Sequence, residues 1–260
     1  MIDSHAHLND EAFIDNLDEV LLDARKSGIK TIICPGWDIE SSIKAIKIAE
    51  REDDIYASIG IHPENVKDAK DEDLLKIEEL SSNKKVVAIG EIGLDYHYGK
   101  DTIELQKEYL LKQLALSTKK NLPVIIHLRE ATEDFLNIIK EYTEKNGKHE
   151  KIGVMHCYSG STETMKILLD LGFYISFGGP VTFKNAKTVK ETALLCPLDR
   201  LLIETDSPYL APHPLRGTVN TPKNVSLVLK EIAKIKGIDE KIIEENVEKN
   251  LYFLFNIKGE

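Results

Sequence analysis

His5 and His7 stand one residue apart after a short run, residues 1–3, that reads as a strand. Strand side chains alternate with period two, so both imidazoles leave the same face. Two imidazoles projecting together from a strand end make half of a divalent-metal site. Alone, a His-x-His pair is most simply a polar N-terminus, so the weight falls on whether further ligands end other strands. Four do: Glu91 in Gly90-Glu91-Ile92-Gly93, His127 after Val124-Ile125-Ile126, His156 after Ile152-Gly153-Val154-Met155, and Asp206 in Glu204-Thr205-Asp206-Ser207-Pro208.

The elements that must position these groups follow a regular rhythm. Apolar runs at residues 1–3, 30–34, 56–60, 85–89, 123–126, 152–155, 173–177 and 200–204 have the length and β-branched content of buried strands. Between them lie segments with helical spacing: 9–26 through Phe13, Leu17, Val20, Leu21 and Ala24; one through Ile43, Ile46, Ile48 and Ala49; then 71–80, 102–120, 132–143, 163–171 and 185–195. A Pro-rich loop runs to Pro222, and two helices close the chain. Eight strands alternating with helices predict a parallel sheet closed into a (β/α)8 TIM-type barrel. An open doubly wound sheet is the competing architecture, but no Gly-x-Gly-x-x-Gly loop follows an early strand. No linker or repeat divides the sequence, so residues 1–260 are expected to form one domain, a usual size for this barrel.

Composition narrows the classes further. Cys34, Cys157 and Cys196 are odd in number and lack any CxxC, which argues for a reducing compartment rather than a disulfide framework. Metal-competent residues begin at position 5, leaving no room for a signal peptide, and no apolar run reaches membrane-spanning length. A soluble, cytoplasmic protein is expected. The net charge of −10 cuts against a protein that grips nucleic acid through many phosphates, so a polyanion would need a local positive site.

In such barrels, catalytic groups gather at the C-terminal ends of the strands. His5, His7, Glu91, His127, His156 and Asp206 would therefore converge on one rim. Four imidazoles and two carboxylates exceed what one tetrahedral ion with an open position requires, and suit two divalent ions sharing a carboxylate and a water. Each group has a plainer reading by itself: Glu91 as a helix cap, Asp206 as an Asx-turn, each His as a rim side chain. Their joint appearance after five separate strands favours the metal centre. Period two also places Glu204 on the face of Asp206, one layer down, where it would support ligands rather than bind metal.

Six segments, Ser4-His5-Ala6-His7-Leu8, Gly60-Ile61-His62-Pro63, Gly90-Glu91-Ile92-Gly93-Leu94-Asp95-Tyr96, His127-Leu128-Arg129-Glu130-Ala131, His156-Cys157-Tyr158-Ser159-Gly160 and Glu204-Thr205-Asp206-Ser207-Pro208-Tyr209-Leu210, resemble in order the motifs of TatD-type metal-dependent deoxyribonucleases. That family lies among the amidohydrolase-like metallohydrolases. The resemblance implies a two-metal barrel hydrolysing DNA phosphodiester bonds, commonly from a 3′ end (a 3′–5′ exonuclease), with single-stranded DNA or 3′ ends as substrate. It implies that His5, His7 and Asp206 hold one metal, His127 and His156 the second, and that Glu91 bridges them. His62 and Arg129 match substrate-phosphate contacts, and Arg216 falls in a loop on the same rim. The sequence departs from the family around Asn220, where a basic residue usually precedes and an acidic one follows; here stand Val219 and Thr221. His97 occupies a usual aromatic position after Tyr96 and receives no role.

The two-metal reading carries an expected mechanism: two ions lower the pKa of a water to near neutrality, the resulting hydroxide attacks phosphorus in line, and Asp206 and Glu91 act catalytically, Asp206 accepting the proton. Two other readings of the same residues are a metallohydrolase for a small ester, lactone or amide, and a non-catalytic metal-binding barrel. The two divalent ions are expected to be magnesium, manganese or zinc; no membrane association is expected, and the sequence points to no particular protein partner.

Overall fold

The computed structural model describes residues 1–147 and 150–258. Eight strands form one parallel sheet in sequence order: β1 (Ile2–Asp3), β2 (Thr31–Pro35), β3 (Ile55–Ile59), β4 (Val86–Asp95), β5 (Val124–Arg129), β6 (Gly153–Met155), β7 (Phe173–Phe177) and β8 (Leu201–Ile203). The seam between β8 and β1 is closed just beyond the strands. Ser4 N donates to Ile203 O at 3.0 Å, His7 N to Ser207 O at 2.8 Å, and Asp206 N to His5 O at 2.9 Å. The expected (β/α)8 barrel is therefore the fold.

Its strands are nearly all buried and rich in Ile and Val because helices cover the outside while side chains fill the inside. Those helices are α1 (Leu17–Lys26), α2 (Ile39–Arg51), α3 (Asp71–Leu80), α4 (Ile103–Lys120), α5 (Thr132–Asn146), α6 (Thr162–Asp170), α7 (Lys187–Leu195), α8 (Val225–Lys236) and α9 (Glu240–Phe255). Local signals fix several ends. Asp38 and Ser41 form a reciprocal capping box on α2, and α4 stops at Asn121 in the left-handed region.

Two expectations need correction. The helix expected over 9–26 is split: Asp10 caps a short 3-10 turn, Glu11–Phe13, and α1 begins only at Leu17. Strands four and five run past their expected ends at Ile89 and Ile126, to Asp95 and Arg129. The glycines that looked like strand terminators are close-approach positions instead. A Cβ at Gly90 would lie 2.6 Å from Ile125 Cβ, and one at Gly93, where φ is +149°, would lie 1.8 Å from His127 O. The β4–β5 register shifts between Ile89 and Ile92, a bulge that contains Glu91 and re-aims it.

Helix α4 then steadies this rim from behind. Gln113 exchanges two hydrogen bonds with the backbone of Ile61 (2.8 and 3.1 Å), and Gln106 exchanges two with Asp95 (2.8 and 2.9 Å). Both glutamines are buried, seven residues apart on one helix face, and each satisfies a loop or strand that carries site residues.

Candidate metal centre

The six expected ligands meet at the C-terminal end of the barrel, around Glu91. On one side, His5 Nε2 and His7 Nε2 lie 3.1 Å apart, and both face Asp206 Oδ1 at 3.6 and 3.5 Å. Glu91 Oε2 completes this group, 3.2 Å from His5 and 3.6 Å from His7. On the other side, Glu91 Oε1 lies 3.1 Å from His127 Nδ1, 2.9 Å from His156 Nε2 and 3.3 Å from His62 Nε2. One carboxylate thus presents a different oxygen to each cluster. Donor atoms of His5, His7 and Asp206, of His5, Glu91 and His156, and of His62, Glu91 and His127 fall within 4.8 Å of one another in each group. Imidazole nitrogens and carboxylate oxygens crowded this closely, with no lysine or arginine among them, are a donor set that fits divalent ions.

Hydrogen bonds behind the rings decide which nitrogens have free lone pairs. Asp95 Oδ2 accepts from His127 Nε2 at 2.8 Å. Burial opposes charge on Asp95, but the His127 ring and the amides of Tyr98 and His97 outweigh it and hold its carboxyl at about 2. Asp95 is therefore ionised and can only accept, so the proton sits on His127 Nε2 and leaves Nδ1 to bind metal. His62 is wired the opposite way. Its Nδ1 accepts from the Glu64 amide at 3.2 Å, so the neutral ring carries its proton on Nε2, toward Glu91. A protonated nitrogen donates and does not ligate, which separates His62 from the ligands it stands beside.

Charge in this cluster is balanced by protons when no ion is bound. Burial opposes ionisation of Glu91, but the surrounding His156, His62 and His5 rings hold its carboxyl well below the usual range. Burial likewise opposes charge on His156, which Glu91 and Glu204 overcome, raising it well above an ordinary histidine. His5 is pushed down, first by burial and then by the His156 charge. Asp206 is held down against its burial by His7 and His156. It also takes a left-handed conformation (φ 57°), locked by neighbours on both sides. Its amide bonds His5 O, while the buried Asn220 Nδ2 donates to Thr205 O and Tyr209 O at 2.9 and 2.8 Å.

Asp95 and Asn220 were not picked out from the sequence as functional. Asp95 was legible in principle, since it lies four residues from Glu91 on the same strand face once β4 is known to continue. Asn220 had no local signal. Asp3 is a third such residue: it accepts from His5 N and from Thr205 N and Oγ1, at 3.2, 2.9 and 2.6 Å, joining β1 to the Asp206 loop. Glu204 is where the alternation put it. It is fully buried below Asp206, accepts from Cys157 N at 2.7 Å, and approaches His156 Nδ1 at 3.3 Å.

The ligands open into a cavity of about 780 Å³, also lined by His62, Arg129, Trp37, Tyr98 and Tyr209. Arg129 lies 4.8 Å over the Tyr98 ring. Arg216 does not line the cavity; it lies 4.2 Å over the Phe183 ring. His97 pairs with Glu130 at 2.7 Å, away from the ligands. Val219 is exposed, and Thr221 Oγ1 is buried without a partner.

A parallel barrel with a His-and-carboxylate cluster at its C-terminal rim has the architecture of a metal-dependent hydrolase. Relatives agree: the chain is 46% identical over 257 residues to a Bacillus subtilis protein, uncharacterized metal-dependent hydrolase YabD, and 38% identical over 265 residues to Escherichia coli uncharacterized metal-dependent hydrolase YcfH. The alignments cover 99% of both chains in the first case, and 99% of this chain and 96% of the relative in the second. The crystal structure of YJJV, a TatD homolog from Escherichia coli, superposes with a TM-score of 0.93 at 29% identity, covering 99% of this chain and 98% of that one. The family model for TatD related DNase matches residues 2–256, and the chain belongs to that family.

Proposed function

We propose that this protein is a metal-dependent deoxyribonuclease that removes nucleotides from DNA 3′ ends, working in the cytoplasm as one domain over residues 1–260. The observation that carries the reading is the split of Glu91, Oε2 toward His5, His7 and Asp206 and Oε1 toward His127 and His156. That split would let His5, His7, Asp206 and Glu91 hold one cation and Glu91, His127 and His156 another. Divalent ions held by these residues would supply activation of a water and neutralisation of charge on phosphate oxygens. Asp206, kept ionised at the cavity wall, takes the proton of the attacking water and returns one to the leaving oxygen. His62 offers its Nε2 proton to a non-bridging oxygen, and Arg129 pairs with phosphate. Cys34, Cys157 and Cys196 are free thiols, and among the described residues no helix is long and apolar enough to cross a membrane, in keeping with that location. The net charge of −10 favours a second reading, hydrolysis of a small ester by the same groups.

End-labelled single- and double-stranded DNA, incubated with magnesium or manganese and with chelator, tests the proposal. Metal-dependent shortening from the 3′ end that disappears in His127→Ala supports it. Intact DNA beside metal-dependent cleavage of bis(p-nitrophenyl) phosphate moves the substrate to the second reading.

A further inference from the structure

We infer that the site takes a substrate of one or two nucleotides around a single scissile phosphate, gripping it by its bases rather than along a polyanionic backbone. The inference rests on the phosphodiesterase reading and narrows it. A dinucleotide or the last step of a strand would fill the site; more of a long strand would add little.

The distribution of charge is the first support. Among the described residues, Arg129 is the one lysine or arginine lining the cavity, and Glu64 lies on the same wall. The loops leaving β1, β2 and β6, residues 4–16, 36–38 and 156–161, contain neither lysine nor arginine. The loop leaving β8, residues 204–221, contains only Arg216, which is laid on Phe183. The other rim loops hold Lys67 and Lys70 beyond β3, Lys100 beyond β4 and Lys184 beyond β7; none lines the cavity, and Lys67 is paired with Asp101 at 3.0 Å. Proteins that follow a strand neutralise successive phosphates with a basic groove. Among the described residues, this cavity lacks the cations for one.

The aromatic side chains are the second support. Tyr98 and Tyr209 are 63% and 51% exposed, although both line the cavity. Tyr98 follows β4 and carries Arg129, from the end of β5, against its ring. Tyr209 follows β8, with its ring centroid 5.8 Å from that of His7 beyond β1. In an eight-stranded ring the β4–β5 and β8–β1 seams face each other, so the two tyrosines stand on opposite sides of the ligand cluster. A phosphate held at the ligands would have an aromatic wall on either side, one for each flanking base, and half-buried Trp37 adds a third surface beyond β2. A volume of about 780 Å³ is that of a site for a compact ligand, not for a long oligomer.

The test compares thymidylyl-thymidine with single-stranded oligothymidylate of roughly 20 nucleotides, at saturating manganese and between ~50 and ~200 mM salt. Expected are kcat/KM values within about tenfold of each other, and a KM for the oligomer that rises only about three- to seven-fold with salt, as one or two phosphate contacts require. Tyr209→Ala should raise KM by about five- to a hundredfold with kcat nearly kept, and Tyr209→Phe should restore it. A dinucleotide more than about tenfold poorer, with a KM that climbs some 300-fold over the same salt range, would overturn the inference and leave the nuclease standing. If neither DNA substrate is cut while bis(p-nitrophenyl) phosphate is, the nuclease reading falls and the inference falls with it.

Discussion

The residues just before the strands and those just after them are treated very differently. At the N-terminal end of the barrel, charges are paired as they arise. The Met1 amine meets Glu244 at 2.6 Å, Lys30 meets Glu248 at 3.1 Å, and Arg25 clamps Asp54 and Glu52 at 2.6 and 2.7 Å. Lys85 donates to three backbone carbonyls, and Arg200 lies over Tyr174 while donating to its hydroxyl. At the C-terminal end, Glu91, Asp206, His5 and His7 are buried and His127 and His156 half-buried, with no lysine or arginine among them. A cavity exists at the lower end too, of about 490 Å³, lined by Lys84, Tyr142 and Glu150, but without a convergent donor set among the described residues. The difference teaches where function was placed: one end spends its charges on closing the barrel, the other keeps them available for ions and substrate.

If that contrast is right, rim substitutions alter chemistry and lower-end substitutions alter stability. The largest effect is expected for Glu91→Gln. Removing the charge that faces both clusters should lower hydrolysis by about 10³-fold or more while circular dichroism still reports a folded barrel. Asp206→Asn comes next, with turnover down about 10²- to 10⁴-fold and KM little changed. Unimpaired turnover there would remove the proton-accepting role. Asp95→Asn touches no substrate, but it frees the His127 tautomer, and metal affinity measured by calorimetry should fall about 10- to 100-fold.

The smallest effect belongs to the other end. Arg25→Ala should leave hydrolysis intact and cost no more than about 1 kcal/mol, since this bridge is partly exposed. The pH dependence has a definite sign. Burial opposes charge on Asp54, but Arg25 lowers its carboxyl below the ordinary 3.8 in the folded protein, so its stabilisation is present above that value and lost as pH falls through the folded pKa. The Tm gap between wild type and Arg25→Ala should therefore be open at neutral pH and close below about pH 4. A gap that persisted in acid would point to lost packing of the arginine stem rather than lost charge.

Much of the rim was legible because its side chains announce themselves twice, by type and by position after an apolar run. His5, His7, His127, His156 and Asp206 needed only the strand count to be placed together. Glu91 was legible as a candidate ligand but not in its setting: Gly90 and Gly93 look like punctuation, whereas the tight approach of β5 makes them part of a continuous strand. The division between His62 and the candidate ligands came from the family resemblance and not from the residues themselves, because a ring's tautomer is fixed by a partner such as the Glu64 amide, and sequence does not show hydrogen bonds. Asn220 was hidden for a related reason. It matters through two carbonyls of a loop that folds back across 15 and 11 residues.

The most direct test of the centre counts ions. Metal content per chain, measured on manganese-loaded wild type and Glu91→Gln alongside hydrolysis of bis(p-nitrophenyl) phosphate, reads occupancy and activity in the same samples. Two ions per wild-type chain, with both the second ion and hydrolysis lost in Glu91→Gln, is the predicted result. Full hydrolysis with a single bound ion, or hydrolysis unchanged by Glu91→Gln, would contradict it.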